Sequence, residues 1–351
     1  MGSDEGLLLR ILIVRTSALG DVIHALPVLT ALRRHLPEAR IGWVVEEGMA
    51  PVLAGHPDLD ELLVVRLRQW RQAAGGGAGE IGGFLKALRR FDADVTLDLM
   101  GNHKAGVISA LSLAGRRIGF VRGHRREPSS AVWINRPVVP RGTHAVDRML
   151  SLLDALGLPP EPADFGPDKI FRETPTAARD LLAAHPEPFA LLHPGAGWAN
   201  KRYPPAWWGR ATRLLQAETG LSTWVASARG EEELAAEVEA ASEGAARAVP
   251  AGDLPTLAAL IRRSRLMLGG DSGPSHLARA LGTPLVMVMG PTDPLRHGPY
   301  GAPETAVSKR LACSYCYQRL AETKACLLEI PPRQVVARAV ELLGSQRQGS
   351  Q

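Results

Sequence analysis

The chain has 351 residues, 45% of them hydrophobic and 22% charged, with a formal net charge of +5 and a pI near 9.4. That is an ordinary globular composition at a length that suits two domains, each able to bury its own core. The positive excess favours acidic partners (phosphates, nucleic acid or an anionic membrane face) without choosing among them. Cys313, Cys316 and Cys326 form an odd, sparse set, which argues against a disulfide framework and fits a reducing compartment. No apolar run approaches the roughly 18 residues of a membrane span. The first residues, Met-Gly-Ser-Asp-Glu-Gly, lack the basic start of a signal peptide.

The first half alternates strands and helices. Leu9–Val14 is a predicted strand leading into the small polar loop Arg15–Gly20 and a helix from about Asp21 to His35. Strands are predicted at Ile41–Glu46, Leu62–Val65 and Asp94–Leu99, with helices at Lys104–Leu113 and His144–Leu156. Gly75–Gly83 reads as a glycine-rich loop. Leu158–Pro188 holds seven prolines, and its first part, Leu158–Pro175, reads as an interdomain linker.

The second half repeats the alternation. Strands are predicted at Phe189–His193, Ser222–Ser227, Leu266–Gly270 and Leu285–Met289. Helices are predicted at Thr176–His185, Pro205–Glu218, Glu231–Ala241, Leu254–Arg263, Pro274–Leu281 and Pro332–Leu343. Short apolar runs alternating with helices mean βαβ units and parallel sheets, so the fold class is α/β with two doubly wound domains. Such domains would face a central cleft lined by the carboxyl ends of their strands, where open sheets bind ligands.

Five segments follow predicted strands or lie in loops. In Arg15-Thr-Ser-Ala-Leu-Gly20-Asp21, the carboxylate at the helix start reads as a helix cap or as a general base, and spacing alone favours the cap. His193-Pro-Gly-Ala-Gly-Trp-Ala-Asn-Lys201-Arg202 pairs backbone freedom at Gly195 and Gly197 with two bases, a phosphate-binding composition or else a plain surface loop. In Gly269-Gly-Asp271-Ser272-Gly273-Pro274-Ser275-His276, the helix start offers N–H groups to an anion. Asp271 would repel that anion unless it faced a hydroxyl, and either Asp271 or Ser272 also suits a simple cap. Glu231 in Arg229-Gly230-Glu231-Glu232-Glu233 suits the helix dipole or ribose hydroxyls equally. The basic runs Arg66, Arg68, Arg71 and Arg122, His124, Arg125, Arg126 read first as solvated faces and second as an acidic-acceptor surface. Trp207-Trp208 reads as core before a stacking platform, and Cys313, Cys316 and Cys326 as reduced structural thiols before three metal ligands, since a structural zinc needs four.

Taken together, Ser17-Ala-Leu-Gly20-Asp21, His193-Pro-Gly-Ala with Lys201-Arg202, and Asp271-Ser-Gly-Pro-Ser-His276 resemble the heptosyltransferases of glycosyltransferase family 9. The resemblance runs from Arg10 to about Val336, and Trp43-Val-Val-Glu-Glu-Gly48 with Arg68-Gln-Trp-Arg71 is most like the heptosyltransferase I subtype. It implies a GT-B fold of two Rossmann-like domains: residues 1–165 for the acceptor and 166–351 for the donor, the last helix being a candidate to pack back on the first domain. It implies an inverting, metal-independent transfer of heptose from ADP-heptose to a Kdo residue of Kdo-lipid A in the lipopolysaccharide inner core, without a cofactor. Asp21 would be the base and Lys201 would hold the leaving diphosphate. Gly195, Glu231, Asp271, Ser272, Gly273 and His276 would bind the donor, with Glu231 on the ribose and Asp271 on the heptose. Arg68, Arg71, Lys104 and Arg126 would bind the acceptor.

The chain departs from the family at Met100-Gly101-Asn102-His103-Lys104-Ala105, where Gln-Gly-Leu-x-Lys-Ser is usual, and Leu320 stands where a further cysteine is common. The expected location is the cytoplasm, compatible with peripheral attachment at the inner face of the inner membrane. No nucleic acid and no stable protein partner are expected. The alternatives are a family 9 transferase acting on another acceptor (a second heptose or an O-antigen sugar), a nucleotide-sugar epimerase, and a non-catalytic nucleotide-sugar-binding protein.

Overall fold

The computed structural model describes residues 8–72, 78–250 and 252–348, without the side chains of 68, 71, 72 and 346–348. The chain divides into two compact units, Met1–Ile170 and Phe171–Gln351.

The first unit carries strands β1 (Arg10–Val14), β2 (Arg40–Glu46), β3 (Glu61–Val65), β4 (Val95–Asp98), β5 (Arg116–Phe120) and β6 (Arg136–Val138). They form one sheet in the order β3-β2-β1-β4-β5-β6, every neighbouring pair parallel. Its helices are α1 (Leu19–His35), α2 (Leu67–Gln72), α3 (Ala78–Phe91), α4 (His103–Leu111) and α5 (Ala145–Leu150). Leu12 and Val14 pack with Val44, Leu88, Phe91 and Ile108 on one face. Ile11 and Ile13 alternate to the other face and are equally buried, as a sheet covered on both sides requires.

Three predictions change here. Gly82 and Gly83, read as loop, lie inside α3, because the helix is held by Leu88 and Phe91 at its far end rather than by its glycine-rich start; 73–77 lie outside the described residues. The predicted helix His144–Leu156 is α-helical only to Leu150 and continues as a 3-10 turn, Ser151–Leu156. Much of the predicted linker belongs to the first unit: Arg34 pairs with Glu161 and Asp164 at 2.9 and 2.7 Å, and Lys169 reaches Asp58 at 2.6 Å.

The second unit repeats the plan with β7 (Phe189–His193), β8 (Ser222–Val225), β9 (Ala246–Ala248), β10 (Leu266–Gly270), β11 (Leu285–Met289) and β12 (Ala306–Ser308). The order is β12-β11-β10-β7-β8-β9, again all parallel. Its helices are α6 (Thr176–Ala184), α7 (Pro205–Thr219), α8 (Glu232–Ala241), α9 (Leu254–Arg263), α10 (Gly273–Ala280), α11 (Pro294–His297), α12 (Ala325–Leu328) and α13 (Pro332–Gln348). Leu192, Val225, Leu268 and Val288 share one apolar cluster with Trp208, Leu215, Val238, Val336 and Ala339, so α7, α8 and α13 cover one face. Trp208 is fully buried and Trp207 packs at the margin, the core role expected of this pair.

Strand order reverses once in each sheet, between β1 and β4 and between β7 and β10. The loops leaving neighbouring strands there diverge to opposite faces and open a crevice at the carboxyl ends. Among the described residues no helix is long and apolar enough to cross a membrane.

Candidate functional site

In the second unit the loops leaving β7 and β10 converge at the reversal. Asp271 follows β10 directly, only 7% exposed. Its carboxylate receives Lys201 Nζ at 2.6 Å, Thr292 Oγ1 at 2.5 Å and His276 Nε2 at 3.2 Å. Burial pushes the carboxyl pKa up, but the His276 hydrogen bond and the Lys201 charge outweigh it and hold Asp271 far below the ordinary carboxylate range. Thr292 was not singled out by sequence reasoning, because a lone threonine after β11 carries no pattern. The ion pair also removes the repulsion expected between Asp271 and an anion at the next helix, since the lysine neutralises the carboxylate.

That helix, α10, starts at Gly273 with Ser272 as an extended N-cap residue whose side chain makes no cap bond. Ser272 Oγ is buried and has no hydrogen-bond partner among the described residues. Ser272 is therefore the cap by position only, and the first-turn N–H groups keep their affinity for an anion.

Gly195 and Glu231 are brought together by the loops after β7 and β8. A Cβ built on Gly195 would lie 1.9 Å from Glu231 Oε2, so any larger residue there would push the Glu231 carboxylate out of this position. Arg202 spans them, with NH2 at 3.1 Å from Glu231 Oε1 and Nε at 3.1 Å from the Ala196 carbonyl. Burial raises the Glu231 pKa, opposed by the Arg202 charge. Glu231 is the N-cap residue of α8 but makes no side-chain cap bond, so its carboxylate is held by Arg202 instead.

His193 ends β7, buried, with Nδ1 donating to the Gly195 carbonyl at 3.3 Å. Burial pushes its pKa down to about 4 from the ordinary 6.5. The unfolded chain takes up this proton first, so the neutral ring's contribution is intact above pH 6.5 and is lost as pH falls from 6.5 towards 4. At 1.36 kcal/mol per unit the loss is about 3 kcal/mol. His193→Asn, which keeps a donor near Nδ1, is expected to flatten the stability curve over that window in urea unfolding measured at several pH values; a curve as steep as the wild type would overturn this.

In the first unit, Asp21 lies at the third position of α1, which starts two residues earlier than predicted with Ala18 as its N-cap residue. Asp21 is therefore not the N-cap residue. Its Oδ2 accepts the Ala18 N–H at 3.2 Å, and its Oδ1 pairs with Arg15 NH2 at 2.5 Å. The side chain remains 37% exposed. Arg15, which sequence reasoning passed over, also donates to the Leu99 carbonyl at 2.6 Å and so ties the β1 loop to the β4 loop.

The basic run around Arg125 is not one solvated face. Arg122, His124 and Arg126 are exposed, but Arg125 is buried, its NH2 on Asp98 Oδ2 at 2.5 Å and its Nε on Ser130 Oγ at 2.8 Å. Asp98 also accepts the Met100 and Gly101 N–H groups. Gly101 has φ +66°, and a Cβ there would press on Arg125 Cα and Arg126 N at 3.3 Å. Lys104 is exposed in the first turn of α4, close in sequence to this junction. Arg66 pairs with Glu47 and Glu80. The side chains of Arg68 and Arg71 lie outside the described residues. Cys313 and Cys316 are free and exposed rather than packed, whereas Cys326 is buried.

The structure thus joins Lys201, Asp271 and His276 in one cluster and Gly195 with Glu231 in a second, with Ser272 and Gly273 at the adjoining helix start. Asp21, Lys104 and Arg126 belong to the other unit.

The chain is similar to known proteins over most of its length. Residues 81–326 match the model of glycosyltransferase family 9 (heptosyltransferase). The lipopolysaccharide heptosyltransferase 1 of Pseudomonas aeruginosa is 32% identical over 321 residues, covering 89% of this chain and 87% of that protein. That of Escherichia coli K12 is 29% identical, covering 84% and 91%. The structure of E. coli heptosyltransferase WaaC with ADP-2-deoxy-2-fluoro heptose superposes with a TM-score of 0.76 at 27% identity, covering 95% of this chain and 99% of that one.

Proposed function

Because the chain belongs to glycosyltransferase family 9, the heptosyltransferases, and has their GT-B fold, we propose that it moves heptose from ADP-heptose onto a Kdo residue of Kdo-lipid A with inversion at the anomeric carbon. Membership of a transferase family sets aside the epimerase and the non-catalytic binder. The coarser activity, heptose transfer in lipopolysaccharide synthesis, rests on several relatives of that name. The donor is a nucleotide sugar, in keeping with the ADP and ADP-sugar analogue of the related WaaC structures.

The reading of the site rests on one observation above all: Lys201, Asp271 and the N-terminus of α10 meet at the reversal of the second sheet. A lysine beside free helix N–H groups suits a diphosphate, and it offsets the charge that develops as ADP leaves. The second unit then takes the donor and the first the acceptor. Gly195 and Glu231 hold the nucleoside side, Glu231 accepting from ribose hydroxyls while Arg202 fixes its carboxylate. Asp271, with His276 and Thr292 on its oxygens, accepts from the heptose, a carboxylate having room for about four hydrogen bonds. Asp21 removes the proton from the acceptor hydroxyl as that oxygen attacks the anomeric carbon from the face opposite the diphosphate. Lys104 and Arg126, both exposed, meet the acceptor's carboxylate or phosphate groups, as do Arg68 and Arg71.

The test is transfer from radiolabelled ADP-heptose to purified acceptors. Label on heptose-free Kdo-lipid A supports the reading. Label only on an acceptor that already carries heptose, or only on an O-antigen sugar, replaces the acceptor assignment, and no label on any acceptor overturns the activity. Within this scheme Gly195→Ala displaces Glu231, so the donor KM is expected to rise about tenfold, the loss of one charge-assisted hydrogen bond, with the acceptor KM unchanged. Steady-state kinetics with each substrate varied in turn checks this, and an unchanged donor KM would remove Glu231 from the donor site.

A further inference from the structure

Outside the residues assigned so far, the Arg319 guanidinium stands beside the donor cluster without a carboxylate partner among the described residues. Trp198, in the loop after β7, has Lys201 Nζ 4.4 Å from its ring centroid and Arg319 Cζ at 4.9 Å. Lys201 is committed to Asp271, and Arg202 to Glu231. Arg319 is exposed and has no carboxylate within ion-pair distance among the described residues.

Arg319 is also held in place. The segment that carries it follows β12 and is pinned across the two loops that flank Asp271. The Gln318 carbonyl accepts from Asn200 Nδ2 at 2.8 Å, and Thr323 Oγ1 donates to the Arg202 carbonyl at 2.9 Å. Tyr317 N donates to the Pro291 carbonyl at 3.1 Å, one residue from Thr292. Asn200, whose amide holds the segment, is itself 1% exposed, so the docking is part of the buried structure.

We infer that Arg319 is a second cationic ligand of the donor's diphosphate, presented from the C-terminal segment by the Trp198 ring. The inference rests on the donor reading above. Its physical basis is charge. A lysine that also pairs with a buried carboxylate offsets only part of the negative charge a diphosphate gains as it leaves. A guanidinium against an aromatic face keeps its N–H edge free, and that fork matches two phosphate oxygens. The alternative is that Arg319 only braces the segment against Trp198.

Calorimetric titration of ADP and AMP into the full chain separates the two. Arg319→Gln is expected to weaken ADP by about tenfold or more, the loss of a charge-assisted pair, and AMP by much less. Arg319→Lys, which keeps the charge without the fork, should fall between, and product inhibition by ADP should weaken in parallel. Equal losses for ADP and AMP, as a bracing role or a damaged fold would give, overturn the inference, and so does ADP binding unchanged from the wild type. If the wild-type chain binds neither nucleotide, it is the donor reading that fails. If the wild type binds ADP and Arg319→Gln binds it equally, only the role of Arg319 fails.

Discussion

Asp21→Asn is expected to lower kcat for heptose transfer by at least about a hundredfold while the KM values for both substrates stay within a few-fold. The substitution is chosen to separate two jobs that one carboxylate does. Oδ2 accepts the Ala18 N–H at the start of α1, and an amide oxygen serves that bond nearly as well. The helix start therefore survives, at a cost within the roughly 1 kcal/mol typical of helix-capping changes. What the amide cannot do is take a proton from the attacking hydroxyl. If Asp21 were a structural cap alone, Asn would retain most of the activity, and that result would remove Asp21 as the base. Arg15 supplies an internal control. It orients Oδ1 and holds the Leu99 carbonyl, so Arg15→Lys should reduce kcat less than Asp21→Asn does. A fork that contacts two loops is only partly replaced by a single ammonium.

Why Asp21 stayed ambiguous in the sequence is itself instructive. A carboxylate in the first turn of a helix is stabilised by the dipole wherever it occurs, so its position carries no information about chemistry. Its partner Arg15 lies six residues away on a different element, and the pair exists only once β1 has ended and the loop has turned. The central strands were legible because they are buried on both faces and read as continuous apolar runs, as in Leu266–Gly270 and Leu285–Met289. The missed strands are β5, which opens on the charged pair Arg116-Arg117, and β6, β9 and β12, whose three residues are too few to show a pattern. The loops assigned to the donor stood out in the sequence because glycine and base cluster there. The pairing of Gly195 with Glu231 did not, since it joins loops from two strands and depends on a missing Cβ.

Arg125 shows the opposite failure. Charge runs are usually solvated, and three of the four bases at 122–126 are exposed. The fourth turns inward because Asp98, at the end of a fully buried strand, needs a partner in a region without water. Both side chains are 0% exposed. Removing one partner of such a pair leaves an uncompensated charge in the interior, and that is the costly change, about 3–5 kcal/mol.

Arg125→Met is therefore expected to destabilise the fold by that amount, read from urea unfolding against the wild type. Methionine fills much of the volume, so the loss measures the stranded carboxylate more than a cavity. Asp98→Asn alone should also destabilise, because it leaves the guanidinium facing a neutral amide. The double variant should recover part of the sum, since neither charge is then left alone, and a double-mutant cycle gives the coupling directly. Strictly additive losses would mean that the pair does not act as a unit. The pair also has a functional readout. Asp98 binds the Gly101 N–H and Arg125 stands against Gly101, so the two residues fix the backbone from which Arg126 emerges. Arg125→Met should raise the acceptor KM more than the donor KM at temperatures where the variant is still folded. Equal rises would assign the whole effect to lost stability and leave the basic segment without a part in acceptor binding.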